Sequence, residues 1–327
     1  MVPAVMTPAL IPALSIMFVV MEPAAIFSAM IAPSEERIYQ SLYRPYCKKW
    51  VYYDSMINHR VYQMYKMFPP ATVNNKAICI SGVGSNKEFS AIITDTLPDV
   101  QLQSNGQCFA FYRYEENDSK DTLYLTHENI TDQTLKRFKD AFPSEKVDKE
   151  DVFYYIYGIL HSPDYKEKYQ ANLQKTLPRI PLVQQFREFS KVGRDLSHWH
   201  LKYEEVVPYS VDEVVTGTPD YRVQKMKFGQ KKDKSKIIYN NTITLEGIPE
   251  KAYEYQVNER SAIEWIMDQY QVKTDKASGI VQDPNEYSDD PRYILDLLKR
   301  IITVSLKTCE IMESMPPLEE IDTEDKS

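Results

Sequence analysis

Between Thr131 and Glu205 apolar residues recur with helical spacing, and on either side of that block they come in short strand-like runs. Thr131 or Asp132 can cap a helix running towards Phe142. Asp148 or Lys149 opens the next one. Its Val152, Phe153, Ile156, Tyr157 and Leu160 fall at i, i+1, i+4, i+5 and i+8, which places them on one face and Tyr157 in the core. His161-Ser162-Pro163 ends that helix, and a third runs to about Thr176. Leu177-Pro178-Arg179-Ile180-Pro181 reads as a rigid extended connector, because two prolines fix their own φ and restrict the residues before them. Leu182 to about Tyr203 is helical again, with Gly193 as a candidate break.

Upstream, residues 35–70 are rich in Tyr and Met, and Tyr43-Arg44-Pro45 imposes an extended or turn conformation. AICISGV from Ala77, FSAIITD from Phe89 and CFAFYRY from Cys108 read as strands bounded by turn residues. Downstream, YRVQKMKF from Tyr221, KIIYNN from Lys236, TITLEGI from Thr242 and AYEYQV from Ala252 read as strands, with a hairpin turn at Asn240-Asn241. Ser261 and Glu264 form a capping-box pattern for a helix to Tyr270. Asp283-Pro284-Asn285 marks a loop. Pro291 begins the last helix, with Ile294, Leu297, Leu298 and Ile301 as its core stripe. From Pro316 an acidic tail is expected to fray. Strands, helices, strands and a helix without βαβ repetition predict an α+β fold, with mixed, largely antiparallel sheet regions packed with a helical bundle.

Residues 1–33 differ from the rest. They hold no Lys or Arg, one acidic residue (Glu22) and five prolines. The apolar run Ala9–Met21 is 13 residues, too short to span a bilayer, and no basic start supports a signal peptide. The segment is read as a leader outside the domain, left by a misplaced start codon or a truncated longer gene; a membrane role for residues 9–32 is the alternative. The expected division is leader 1–33, one region 34–315 and an acidic tail 316–327.

The chain of 327 residues can bury a sizeable core. Its 24 tyrosines against 12 phenylalanines suit half-buried strands and wet interfaces. A net charge of −8 argues against a simple basic DNA-binding module, unless basic patches are local. Cys47, Cys79, Cys108 and Cys309 lie far apart in sequence, without zinc spacing, and read as reduced thiols of a cytoplasmic protein.

Several stretches carry a resemblance: SLYRPYCKKWVYYD from Ser41, FYYIYGILHSPDYKEKY from Phe153, LPRIPL, GRDLSHWHLKYEE, NNTITLEGIPEKAYEYQVNERSAIEWIMDQY from Asn240 and DKASGIVQDPN from Asp275. Together they resemble the C-terminal specificity region of type ISP restriction-modification enzymes. Those are single-chain enzymes with nuclease, helicase, adenine methyltransferase and target-recognition parts. The resemblance implies sequence-specific recognition of duplex DNA by a chain that is non-catalytic alone and needs no cofactor. The parent would be an adenine-specific DNA methyltransferase and ATP-dependent endonuclease. Its missing methyltransferase and helicase portion, on an upstream chain, is a further expected partner. The chain departs from the family pattern at Ala110, at Glu259 in a turn that tends to carry Gly, and at Gln282.

The cations fall in two groups. Arg222, Lys225, Lys227, Lys231, Lys232, Lys234 and Lys236 crowd one stretch against a single Asp233, which reads as a basic hairpin loop. It either contacts DNA phosphates or is a solvated tip. Arg44, Lys48 and Lys49 sit among tyrosines. Arg44 suits a phosphate or a guanine edge, or else a structural position beside packed rings.

Other patterns are weaker. Asp99 after Pro98, with Asp118 and Lys120, mimics a Mg²⁺-dependent nuclease trio, and a free-standing nuclease is the alternative function; a non-functional remnant is another. His198 and His200 lack a third nearby metal ligand, so no metal site is expected. Ser81–Lys87 fails both the Rossmann and Walker patterns. No Asn/Asp-Pro-Pro-Tyr motif supports adenine methylation.

Overall fold

The computed structural model describes residues 34–58, 61–70, 74–117 and 123–321. The 1–33 leader, Asp118, Lys120 and the last residues of the acidic tail lie outside the described residues. In chain order the elements are β1 (Ile38–Arg44), β2 (Cys47–Tyr52), α1 (Met64–Met67), β3 (Ala77–Ile80), β4 (Ala91–Thr94), β5 (Leu97–Pro98), β6 (Gln107–Ala110), β7 (Tyr112–Glu116) and β8 (Tyr124–Glu128). The helices α2 (Asp132–Ala141), α3 (Lys149–His161), α4 (Pro163–Leu173) and α5 (Phe186–Leu201) follow. Then come β9 (Asp212–Val215), β10 (Lys227–Phe228), β11 (Lys236–Ile238), β12 (Ile243–Glu246), β13 (Gln256–Val257), β14 (Arg260–Ser261), α6 (Ala262–Gln269), β15 (Lys273–Thr274), β16 (Val281–Gln282) and α7 (Tyr293–Glu313). The fold is α+β, and apart from the parallel β1–β5 contact the strand pairs are antiparallel.

The three-stranded sheet β4-β3-β6 separates two hydrophobic cores. On one face Ala77, Cys79, Ile92 and Ala110 join the core built around α6 and α7. On the other Ile78, Ile80, Ala91 and Ile93 join the core built around α2, α3 and α5. A strand buried on both faces has no polar alternation, which is why AICI and AIIT read as unbroken apolar runs.

Local chemistry sets most helix ends where the sequence places them. Thr131 Oγ1 accepts from Thr134 N, and Asp148 with Asp151 forms a reciprocal capping box on α3. Ser162 caps α4 ahead of Pro163, and Ser261 with Glu264 caps α6.

Several expectations are corrected. α3 is buried nearly all round, with Tyr154, Tyr155 and Ile159 as deep as Phe153 and Tyr157, because α2 and α5 cover the side the one-face reading left to solvent: Tyr155 packs on Phe138, Phe186 and Phe189, and Arg194 rests over the Tyr154 ring. Gly193 does not break α5. It lets α5 cross α3 with backbones in contact, since a Cβ at Gly193 would run into the Tyr154 carbonyl and one at Gly158 into the Phe189 carbonyl. Tyr221–Met226 is not a strand, and Glu250–Tyr253 forms a 3₁₀ turn. CFAFYRY divides at Phe111 between β6 and β7. Residues 316–321 do not fray. Gln184 N donates to Glu319 O at 2.9 Å, Ile321 N donates to Leu182 O at 2.8 Å, and Glu320 takes hydrogen bonds from Lys168 and Tyr169. The proline-rich connector leaves backbone groups at 182–184 without helical partners, and the tail supplies them.

A buried polar node ties the two cores together. Tyr157 Oη meets His200 Nδ1 at 2.6 Å, and His200 Nε2 meets Thr308 Oγ1 of α7 at 3.0 Å. Tyr255 stacks on the imidazole, and its hydroxyl meets that of Tyr46 at 2.8 Å. Burial holds the His200 pKa well below the usual histidine range, so the ring is neutral. A neutral ring can accept at one nitrogen and donate at the other.

Two stability effects are expected. Phe153→Ala removes a buried ring packed 5.2 Å from Phe111, and should destabilise the fold by about 3–5 kcal/mol in urea titration; a loss below about 1 kcal/mol would contradict the packing described. Gly193→Ala forces α3 and α5 apart and should cost about 3 kcal/mol. A near-neutral result would mean that the crossing tolerates a Cβ.

Candidate nucleic-acid interface

The first group of cations sits on the β1–β2 hairpin. Pro45 and Tyr46 make its turn, and Tyr46 holds φ at 60° with its ring fully buried. The anchored ring fixes the residues on both sides. Arg44 is committed internally: Nη1 lies 2.8 Å from Asp99 Oδ1, Nη2 donates to Gln101 Oε1 at 2.9 Å, and the guanidinium rests 4.0 Å from the Tyr43 ring centre. Burial, opposed by Arg44 and the Gln101 N–H, raises the Asp99 pKa. The pair brackets β1 against the loop after β5. Lys48 is paired with Glu204 at 2.6 Å. Lys49 has no carboxylate within ion-pairing distance among the described residues. Its Nζ sits 4.2 Å from the Tyr43 ring centre and 3.3 Å from Gln282 Oε1, and burial pushes its pKa down.

The second group divides in the same way. Arg222 pairs with Asp283 at 2.6 Å, Lys234 with Glu264 at 3.2 Å and Lys236 with Glu246 at 2.8 Å. Lys225, Lys227, Lys231 and Lys232 are exposed and carry no ion pair among the described residues. The hairpin reading holds between β10 and β11, which pair Lys227 with Ile238 and Phe228 with Ile237. It does not extend back to Arg222. That segment is irregular because it is pinned from outside the ladder: Val223 N donates to Asn285 Oδ1, and Asn240 Nδ2 donates to the carbonyls of Asp220 and Arg222.

The hairpin tip is ordered from within. Gly229 N donates to Asp233 O and Lys236 O, both at 3.0 Å, and Asp233 Oδ1 accepts from Ser235 N and Oγ. Lys231 and Lys232 are successive left-handed residues, at φ 54° and 63°. For a residue with a Cβ that conformation costs roughly 1–2 kcal/mol, and it turns both side chains to solvent on a fixed tip.

The short hairpin β15–β16 was not foreseen. It brings the two cation groups together, because Lys49 reaches Gln282 and Arg222 reaches the next residue, Asp283. Its base is held by Val272 N donating to Gln224 O at 2.9 Å and by Lys273 beside Asp268. Asp275 Oδ1 accepts from Ala277 N, Ser278 N and Ser278 Oγ, and Gly279 is left-handed at φ 73°. The signal was present in Asp275-Lys276-Ala277-Ser278-Gly279, an Asx turn followed by a glycine. Ile280 and Val281 are half exposed beyond it.

The competing chemistries fare differently. Asp99 is consumed by Arg44, while Asp118 and Lys120 lie outside the described residues. His200 spends both ring nitrogens on hydroxyls, and His198 faces solvent. Among the described residues no group of three or more His, Cys, Asp or Glu could hold a metal ion. In the Gly-rich turn Lys87 pairs with Glu259 at 2.8 Å. Glu259 keeps the left-handed φ of 62° expected of a glycine, and its carboxylate also accepts from Glu88 N at 2.9 Å. Among the described residues no helix is long and apolar enough to cross a membrane.

The family model of the type ISP C-terminal specificity domain matches residues 26–297. Three solved structures are similar. The ATP-dependent type ISP restriction-modification enzyme LlaBIII bound to DNA is 42% identical with a TM-score of 0.82, over 89% of this chain and 19% of that one. A nuclease-deletion mutant of the type ISP enzyme LlaGI in complex with a DNA substrate mimic is 40% identical with a TM-score of 0.78, over 89% of this chain and 26% of that one. The DrdV–DNA complex is 32% identical with a TM-score of 0.77, over 87% of this chain and 29% of that one. The chain thus corresponds to less than a third of the length of each. No curated protein matches it. On the family match and these likenesses, the chain belongs to the type ISP C-terminal specificity domain family.

Proposed function

We propose that this chain is the duplex-DNA recognition part of a type ISP-like restriction-modification system and catalyses nothing alone. The observation that carries the reading is that three relatives, 32–42% identical over nearly all of this chain, are each described with DNA. The cation geometry supports it and narrows the contacts. Lysines already neutralised by carboxylates have little charge left for phosphates. The phosphate contacts are therefore assigned to Lys49, Lys225, Lys227, Lys231 and Lys232. Arg44, Lys48, Arg222, Lys234 and Lys236 are assigned to holding the surface in shape. The strained, ordered tip at Lys231 and Lys232 is consistent with a contact fixed before DNA arrives.

The recognition region is taken as residues 34–315 with residues 316–321 docked on it, behind the 1–33 leader, in a cytoplasmic protein. Methyl transfer, ATP hydrolysis and cleavage are assigned to a methyltransferase, helicase and nuclease portion as its partner. Which bases are read is a property of side chains that vary with the target, and it does not follow from shared motifs.

The contacts are tested by the salt dependence of duplex binding. Lys231→Ala with Lys232→Ala should lower affinity alike on all sequences and reduce the log–log salt slope by roughly one unit for each phosphate no longer neutralised. Lys234→Ala, whose charge is already paired, should change the slope less, and Arg44→Ala should reduce stability rather than slope. An unchanged slope in the folded double variant would return the tip to an ordinary solvated loop.

Catalysis is tested by incubating the chain with duplex DNA, Mg²⁺, ATP and S-adenosylmethionine. No cleavage, methylation or ATP turnover is expected. Cleavage that a folded Asp118→Ala variant abolishes would replace the recognition reading with the nuclease one.

A further inference from the structure

We propose that Cys79 and Cys108 form a site of reversible oxidation that closes into an intramolecular disulfide in the presence of a hydroperoxide. The register of β3 and β6 sets the two residues directly opposite each other. The ladder shows which kind of pair they make. Phe111 N donates to Lys76 O at 2.8 Å, so Lys76 and Phe111 form a hydrogen-bonded pair. Pairs alternate along an antiparallel ladder, which makes Ile78–Phe109 bonded and Cys79–Cys108 non-bonded. The other edge of β3 agrees: Ser81 N donates to Ser90 O at 3.0 Å, so the backbone groups of Cys79 point to β4.

A non-bonded pair brings its Cα atoms to about 4.5 Å with the side chains at their closest. That lies within the range of about 4.4–6.8 Å that a disulfide spans. The side chains have already met, with Sγ to Sγ at 2.9 Å. Among the described residues neither Cys47 nor Cys309 has a thiol neighbour of this kind.

Access orders the chemistry. Cys79 is fully buried, and burial raises its thiol pKa; Cys108 is half-buried. The oxidant therefore meets Cys108 first. Its sulfur attacks the peroxide, an S–O bond forms, the O–O bond breaks and water leaves. The Cys79 sulfur then attacks the sulfenic sulfur, the S–S bond forms and a second water leaves. Two thiols and one hydrogen peroxide give one disulfide and two waters. The crosslink fastens the edge strand β6 to β3 and closes a loop over residues 80–107, which should raise the thermal midpoint.

The test uses the full chain, reduced and then exposed to hydrogen peroxide, alkylated in denaturant without reductant and digested. The peptides carrying Cys79 and Cys108 should appear joined, lighter by two hydrogens. Alkylation should fall from all four thiols to Cys47 and Cys309 alone, and dithiothreitol should restore it. Cys108→Ser, a change at a half-buried position, should abolish the joined peptide while leaving Cys47 and Cys309 alkylated as before. A folded chain that keeps four free thiols would overturn the proposal. So would oxidation of Cys108 to sulfinic acid without a joined peptide, or a link formed only between two copies.

Discussion

The crossing of α3 and α5 is the constraint on which the remaining structure depends. Glycines at 158 and 193 bring the two backbones into contact. No larger residue permits this, because the space a Cβ needs is filled by the carbonyls of Phe189 and Tyr154. The approach is close enough for Ser190 Oγ to donate to Asp151 O and for Arg194 and Arg187 to reach the Asp151 carboxylate. It also sets Tyr157 opposite His200. From His200 the contact passes to Thr308 on α7 and, through Tyr255, to Tyr46 in the β1–β2 turn. The turn that carries Arg44, Lys48 and Lys49 is thus positioned by a helix pair far away in sequence.

Two cores joined by one buried sheet behave differently from two independent domains. β3 and β4 contribute alternate residues to each core, so displacing either strand disturbs both cores. The polar node crosses the same boundary. Its hydroxyls find their partners across α3, α5, α7, the β1–β2 turn and the Tyr255 segment, and leaving one unpaired costs roughly 1–3 kcal/mol. Cooperativity between the two halves follows from these shared elements.

What could be read from the sequence divides by the range of the interaction that decides it. Helix starts at Thr131, Asp148 and Ser261 depend on hydrogen bonds spanning three residues, and they were legible. The hairpin at Asn240-Asn241 was legible for the same reason. The role of Gly193 was not, because a glycine that breaks a helix and one that admits a neighbouring helix look alike in one dimension. The docked tail depends on carbonyls at 182 and 319, which lie far apart in the chain with the whole downstream strand region between them. The candidate site was half legible: every lysine was visible, but its state was not. Pairs such as Arg44–Asp99, Lys48–Glu204 and Arg222–Asp283 join residues 55 to 156 positions apart. The opposition of Cys79 and Cys108 was hidden likewise, since only the register of β3 and β6 reveals it.

That pairing of lysines with carboxylates also bears on how a chain of net charge −8 can serve DNA. Net charge is a sum over the whole surface, whereas phosphate binding depends on potential within about a Debye length, roughly 8 Å at physiological salt. A carboxylate that lies against its own lysine cancels that lysine but adds little repulsion beyond it. The paired cations still matter, because Asp283 and Glu264 are the anchors that hold the β15–β16 hairpin and the β10–β11 tip in place through Arg222 and Lys234. A surface built this way has weak long-range attraction for nucleic acid and a few unneutralised lysines at fixed positions. Such a surface favours binding that depends on close fit over binding that depends on total charge.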